Sequence, residues 1–247
     1  MELSAAERTR LATFLRAFVV NGTVTLTVTD STSDFSLLLD NWACSLRRLS
    51  IPGLVWALDE SAHAAIQARG HASVFSANLS LSRRARPNAY KAPGGDAYMQ
   101  TVSLKPRVML TVLQLGVGLL YLDVDLALNV DPRPVLRRHA ADVVCAVNYP
   151  QAMLNTGVLF FESNWRSRAL ASAWVAQVRL GRCSGWQCGD QEHLTTLLQR
   201  ECAMSASSLT HAVDRAQTLR LRCGWTQRLL LGVAPPLLFA TGSPQSN

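Results

Sequence analysis

The run Gly118-Leu-Leu-Tyr-Leu-Asp-Val-Asp125 narrows the possible folds more than any other stretch of this chain. Leu119 to Leu122 is a short, unbroken apolar segment, the pattern of a strand buried on both faces of a parallel sheet. Two carboxylates follow at i and i+2. In extended backbone that spacing puts both side chains on one side. Two like charges side by side are costly to bury unless a positive charge lies between them. Hard divalent cations such as Mg²⁺ or Mn²⁺ favour such oxygen ligands and often share them with phosphates. A parallel sheet places its ligand site at the carboxyl ends of its strands, where Asp123 and Asp125 are expected. The alternative is a solvated strand-to-loop turn, in which Asp is common.

The segments before this run alternate strand and helix. Ser4 to Glu7 forms a capping box that opens an amphipathic helix carrying Arg8, Arg10 and Arg16. Thr23 to Thr29 is rich in β-branched residues and reads as the first strand. The polar loop Asp30 to Asp34 offers a cap to a helix over about 34–49, with Phe35, Leu38, Leu39, Trp42 and Leu46 at helical spacing. Pro52-Gly53 ends it, Leu54 to Leu58 is a second buried strand, Ala62 to Ala68 a short helix closed by Gly70, and 72–75 a third strand. This β-α-β-α-β order implies right-handed crossovers and a parallel sheet. Residues 76–98, rich in Ser, Arg, Asn, Pro and Gly, read as a long loop of about 20 residues, a length usually tied to function or disorder. A helix over 99–115 follows, with Val102, Met109, Val112 and Leu113 as core candidates. Pro106 must lie in its first turn or kink it, and Gly116 stops it.

After the two aspartates, Asn129 to Pro132 turns the chain into a basic segment, 133–139. Strands are expected at 142–147 and 155–161, the second with its polar residues first. Ser163 caps a helix bearing Trp165, Leu170, Trp174 and Val178. Gly189-Asp-Gln-Glu-His193 opens a helix over about 191–202. Trp42, Trp165 and Trp174 fall at core spacing and read as packing; His193 reads as a surface residue. Beyond Thr210 the pattern weakens, and 234–242 looks like a turn-rich tail.

At 247 residues, 49% hydrophobic and 17% charged, the chain is long enough for a sizeable core and is not of a disordered class. The net charge of +7 comes almost wholly from arginine, since Lys91 and Lys105 are the lysines. Such a surface suits anionic ligands, including nucleotides and acidic polysaccharide, and anionic membrane surfaces. With no zinc-finger spacing, aromatic RNA-binding signature or long basic run, nucleic acid is not an expected partner. No pair of the six cysteines has C-x-x-C spacing, and Cys183 and Cys188 could close a small loop in an oxidising compartment. Two N-glycosylation sequons, at Asn21 and Asn78, are compatible with a secretory lumen. The longest apolar run, 229–240, is too short to span a bilayer against the ~20 residues required. The first helix does not read as a signal peptide. Either the protein is cytosolic, or a membrane anchor lies outside this chain.

The ordered set of motifs is similar to a known family. Ser103-Leu-Lys-Pro-Arg-Val-Met-Leu110, Leu113 to Asp125, Asp131-Pro132, Leu154-Asn-Thr-Gly-Val-Leu-Phe-Phe161 and Gly189-Asp-Gln191 resemble the nucleotide-diphospho-sugar transferase domain of glycosyltransferase family 77. So do Asn41 to Leu49 and Val55 to Asp59. The likeness covers about residues 20–200. It implies one α/β domain of GT-A fold, a Rossmann-like, mainly parallel sheet flanked by helices. Residues 20–125 would be the nucleotide-binding half and 126–247 the acceptor half. The family transfers sugars from UDP-linked donors with retention, and includes plant and algal arabinosyl-, xylosyl- and galactosyltransferases of the Golgi lumen.

By that resemblance Asp125 would bind Mn²⁺ or Mg²⁺, and Asp123 would contact the donor ribose or the metal. The metal would act as Lewis acid on the leaving diphosphate. Lys105 would bring positive charge near the diphosphate; its alternative is an exposed helix residue. Thr29, Asp30 and Ser31 would line the nucleotide pocket by their place at a strand end. Asn155, Thr156 and Gly157 match an element near donor sugar and acceptor; the alternative is a turn before a core strand. Asp190 and Gln191 match the family's catalytic pair, where a carboxylate could stabilise oxocarbenium-like charge. Asp190 could equally be a helix cap. The family's pattern continues past a Phe-x-x-Gly element to a late His that completes the metal site. Phe239 to Gly242 resembles that element, no His follows His211, and the expectation is a domain truncated at its C-terminus.

Two rivals remain open. A haloacid dehalogenase-type phosphatase also uses Asp-x-Asp after a buried strand, but wants Thr or Val where Ala127 stands. An inert GT-A domain would bind nucleotide or glycan as a scaffold.

Overall fold

The computed structural model describes residues 3–31, 35–81, 96–148, 153–180, 189–215 and 217–234. Helix α1 (Ala5–Arg16) starts where the capping box places it. Ser4 Oγ accepts from the Glu7 amide at 3.2 Å, and the Ser4 amide donates to Glu7 Oε2 at 3.2 Å. Leu11 and Leu15 are buried and the arginines face outward. Next come β1 (Val19–Val20), β2 (Thr23–Thr29), α2 (Phe35–Arg48), β3 (Gly53–Ala57), α3 (Glu60–Ala68) and β4 (Ser73–Phe75). A 3₁₀ turn (Ala77–Leu79) leads on to α4 (Asp96–Gln114), β5 (Gly118–Leu122), α5 (Arg133–Arg138), β6 (Val143–Asn148) and β7 (Met153–Phe161). The chain continues with α6 (Trp165–Leu180), α7 (Asp190–Cys202), α8 (Ala206–Arg215), β8 (Thr218–Cys223) and β9 (Thr226–Val233).

The strands form a single sheet in the order β4-β3-β2-β5-β7-β6-β9-β8, with β1 pairing antiparallel to β2. Strands β4, β3, β2 and β5 are mutually parallel, so their carboxyl ends share one edge. Strand β7 runs against both β5 and β6, and β9 is again parallel to β6. The expected mixed α/β architecture, mostly parallel and helix-flanked, is thus present.

Strand β5 alternates its side chains between two cores. Leu119 and Tyr121 join the layer of α1, α4, α6, α7 and α8; Leu120 and Leu122 join that of α2, α3 and α5. Trp42, Leu46 and Gly53 show how close the second layer packs. A Cβ on Gly53 would lie 2.5 Å from Leu46 Cδ1. Glycine is therefore needed there for the approach of α2 to β3. Asp142 stitches three elements at the far end: it accepts from Arg166 Nε and Asn164 Nδ2, each at 2.9 Å, and from the Leu230 amide at 2.9 Å.

Several expectations change. The first two carboxylates do not extend the strand: β5 stops at Leu122, and the Leu126 amide donates to the Asp123 carbonyl at 3.1 Å, closing a turn over 123–126. Pro106 lies in the middle of α4, not in its first turn. Leu38 and Trp165 are exposed, at 37% and 52%, so neither is core; Leu39, Trp42 and Trp174 are. Asn164, not Ser163, caps α6, its Oδ1 accepting from the Arg166 and Ser167 amides at 2.9 and 3.0 Å. The expected loop begins with the 3₁₀ turn, and its stretch 82–95 lies outside the described residues, as do Cys183 and Cys188, the tail from 235 and the side chains of Phe35 and Val102. The weak pattern after Thr210 conceals α8 and the β8–β9 hairpin. Cys202 and Cys223 form a disulfide joining the end of α7 to β8. Among the described residues, no helix is long and apolar enough to cross a membrane.

Candidate active site

Parallel strands β2, β3 and β5 bring Asp30, Asp59 and Asp123 to one edge of the sheet. At the centre is Asp123, whose side chain is 39% exposed. Its amide donates to the Gly157 carbonyl at 2.8 Å, continuing the β5–β7 ladder by one bond. Its Oδ1 accepts from the Tyr121 hydroxyl at 2.6 Å and from Lys105 Nζ at 3.1 Å.

Behind Asp123 the site is closed. Lys105 rises from α4 into the space between β5 and α7, and its side chain is 8% exposed. Its ammonium sits 2.8 Å from Asp190 Oδ2, 3.3 Å from Thr156 Oγ1 and 4.5 Å from the Tyr121 ring centroid. Burial alone would lower the Lys105 pKa. Asp123 and Asp190 outweigh it and push the pKa up, so the ammonium is firmly charged. Burial, then the Asp123 charge, pushes the Tyr121 hydroxyl well above its usual range, keeping it a donor. Asp190 opens α7, with Gly189 as the N-cap, so it is not itself the cap residue. Its Oδ2 also accepts from Thr156 Oγ1 at 2.6 Å, and its carbonyl accepts from Trp174 Nε1 at 2.9 Å. Gln191 follows it, half-buried.

Asp125 stands outside this closed group and is exposed. Partial desolvation, then the charge of Asp123, raises its pKa. The turn therefore keeps the two carboxylates within each other's field, although the strand geometry expected for them is absent. One ammonium pairs with two carboxylates, Asp123 and Asp190, and Asp125 adds a further negative charge on the open side. Such a donor set fits a hard divalent cation that completes its shell with water and phosphate oxygens. Among the described residues, no group of three or more His, Cys, Asp and Glu is placed to hold a metal by itself.

Strand β7 supplies the floor. The β6–β7 register shifts between Cys145 and Ala146, so that Cys145 pairs with Leu159 but Ala146 with Asn155. Thr156 and Gly157 fall in this irregularity, of a kind that re-aims side chains beside active sites. Thr156 is buried with its hydroxyl turned to Asp190. Asn155 Oδ1 accepts from the Gly157 amide at 2.7 Å, and its Nδ2 donates to Asn148 Oδ1 at 2.7 Å. A Cβ on Gly157 would lie 2.8 Å from Asp123 Oδ2 and 2.9 Å from Asn155 Oδ1. A side chain at this position would displace the Asp123 carboxylate or the Asn155 amide oxygen.

The β2 end is organised by hydrogen bonds. Thr29 and Asp30 are buried, and Asp30 Oδ2 accepts from Thr101 Oγ1 at 2.8 Å. The Ser31 amide donates to Asp59 Oδ2 at 2.9 Å, while Asp59 Oδ1 caps α3 through the Ala62 amide at 2.7 Å. Thr101 and Lys105 are one turn apart on α4. A single helix face thus meets both the β2 and the β5 end.

Tyr121 and Thr101 carry no functional signal in the sequence, and His193, expected at the surface, is buried. Tyr121 lies inside an apolar strand and carried no local sign of a polar task. His193 is 2% exposed, not a surface residue, and its buried Nδ1 has no hydrogen-bond partner among the described residues. Asp190, His193, Leu194, Leu197 and Leu198 form a regular buried helix face, and that spacing was there to be read.

The family model for nucleotide-diphospho-sugar transferases matches residues 52–227. No curated protein matches the chain in sequence. Among solved structures, the glycosyltransferase GlyE of Streptococcus pneumoniae is similar at 14% identity and a TM-score of 0.44, over 72% of this chain and 43% of that one. The PaToxG glycosyltransferase is similar at 10% identity and a TM-score of 0.46, over 85% and 82%. This chain therefore spans less than half the length of GlyE.

Proposed function

This chain belongs to the nucleotide-diphospho-sugar transferase family, and from that premise we propose that it transfers a sugar from a UDP-linked donor to a glycan or glycoprotein acceptor, with retention of configuration. The observation that carries this reading is the cluster of Asp123, Asp125 and Lys105 beside the carboxyl ends of parallel strands. Such an edge is where α/β sheets bind nucleotides.

Thr29, Asp30 and Ser31 line the nucleoside side. Asp123 and Asp125 hold Mn²⁺ or Mg²⁺, which supplies Lewis-acid neutralisation of the leaving diphosphate. Lys105 acts from behind: it offsets Asp123 and fixes Asp190 and does not reach out to the donor. Asn155 and Gly157 shape the floor under the sugar. Asp190, committed to Lys105 and Thr156, contributes its field at the anomeric centre and positions Gln191 beside it. The sugar is of arabinose, xylose or galactose type, as in glycosyltransferase family 77, and the compartment is the Golgi lumen. The Cys202–Cys223 disulfide supports an oxidising compartment.

A second reading has one observation in its favour. Lys105 already gives the carboxylates a counter-charge, which suits an inert domain that binds nucleotide or glycan as a scaffold. Calorimetry with UDP and Mn²⁺ on the wild type and Asp125→Ala, paired with UDP-sugar hydrolysis, separates the two. The enzyme reading expects metal-dependent UDP binding, lost in the variant, and turnover of a UDP-sugar. Binding without turnover of any UDP-sugar leaves the scaffold; absence of UDP binding removes both.

A further inference from the structure

Two residues along a helix turn the side chain by about 200°, so Arg107 leaves α4 on the side away from Lys105. There a cavity of about 350 Å³ opens between α4, α6 and the 3₁₀ turn at Ala77–Leu79. That is the size of a small-molecule site. Its wall carries Arg107 from α4 and Arg179 from α6 and, among the described residues, no carboxylate. Thr111, Gln114, Ser172 and Asn78 add polar groups.

Among the described residues, the two guanidinium groups have no counter-charge. Among the described residues, Arg107 donates to the Asn78 carbonyl at 3.3 Å, and neither arginine is in an ion pair. The Glu7 carboxylate, which Asn78 holds at 2.9 Å, is also engaged by Ser4. Segments 82–95, 181–188 and 235–247 contain no Asp or Glu; Glu2, next to the lining residue Leu3, lies outside the described residues. Burial, then the like charge of Arg179, pushes the Arg107 pKa down. A half-buried guanidinium that meets a like charge across a cavity is costly unless an anion joins them.

We propose that this cavity binds an oxyanion carried on a small polyhydroxylated body, a phosphorylated or carboxylated sugar. Arg107 and Arg179 grip the anion with their planar forks. Ser172 and Gln114 meet the hydroxyls. A cavity of this size takes a body larger than a bare phosphate.

Calorimetric titration at constant ionic strength with inorganic phosphate, glucose 6-phosphate and galacturonate tests this. At least one sugar anion binds saturably, more tightly than inorganic phosphate, and raises the melting temperature of the wild type. Preference for glucose 6-phosphate identifies a phosphoryl ligand; preference for galacturonate identifies a uronate. Arg107→Met and Arg179→Met each weaken binding on the order of 10-fold or more, and Arg107→Lys weakens it less. If Arg107→Met fails to fold, the exposed Arg179 carries the comparison. No saturable binding of any probe, or binding unchanged in the Met variants, overturns the site.

Discussion

Lys105 Nζ lies 2.8 Å from Asp190 Oδ2, with both side chains 8% exposed. This pair ties α4 to the first turn of α7 behind the Asp123 carboxylate.

Breaking it from one side strands a buried charge. Lys105→Met leaves Asp190 with Thr156 as its donor and no cation, at an expected cost of about 3–5 kcal/mol, read by urea unfolding. Adding Asp190→Asn recovers part of that loss, a coupling that a double-mutant cycle measures. Equal stability of Lys105→Met and wild type would remove the pair from the account of this site.

Gly157→Ala separates binding from folding. The new methyl meets the end of the Asp123 side chain at 2.8 Å, and that side chain can move more readily than backbone can. Unfolding free energy should change by about 1 kcal/mol or less, within the range of ordinary substitutions. Metal-dependent UDP binding should weaken on the order of 10-fold, the equivalent of about 1.4 kcal/mol. A variant that binds UDP like the wild type would mean that Asp123 has no part in binding.

Acidification should destabilise the fold through two histidines. Burial pushes His139 and His193 below their ordinary value, and for His193 the charge of Asp190 partly offsets this. The unfolded chain takes up these protons near pH 6.5, the folded chain only at lower pH. Stability is therefore level above about pH 6.5, falls as pH drops below it through the depressed folded values, then levels again. His193→Phe should flatten part of that slope in denaturation curves taken between pH 7 and 5.

The Cys202–Cys223 bridge spans a separation of 21 residues. Loop closure of that length stabilises by about 3 kcal/mol. Unfolding with and without dithiothreitol, and of the Cys202→Ser/Cys223→Ser pair, should show a loss of that order. A chain indifferent to reductant would speak against an oxidising compartment as its home.

Much of the scaffold was legible because its cause is local. The capping box at Ser4, the β-branched run 23–29, the breaks at Gly53 and Gly116 and the apolar run before Asp123 each act within a few residues. The late hairpin is legible in part: Leu219-Arg-Leu-Arg222 alternates with a period of two and Gly224 follows. Pro106 does not end α4: its local penalty in a helix interior, about 3 kcal/mol, is offset by the packing of Val108, Met109, Val112 and Leu113 along the helix. Trp165 lies nine residues before Trp174, about 180° round the helix, so the face that buries Leu170, Ala171 and Trp174 leaves it in solvent.

The sequence by itself determined that strands and helices alternate, that two acids follow a buried strand, and that a lysine lies one helix earlier. These rest on periodicity, propensity and motif order, which are properties of neighbouring residues. Only the tertiary structure decided that Lys105 turns inward to Asp190, that Tyr121 shares an oxygen of Asp123, and that Arg107 and Arg179 confront one another. Each joins residues from separate elements, so its energy depends on the burial and the electric field that packing creates.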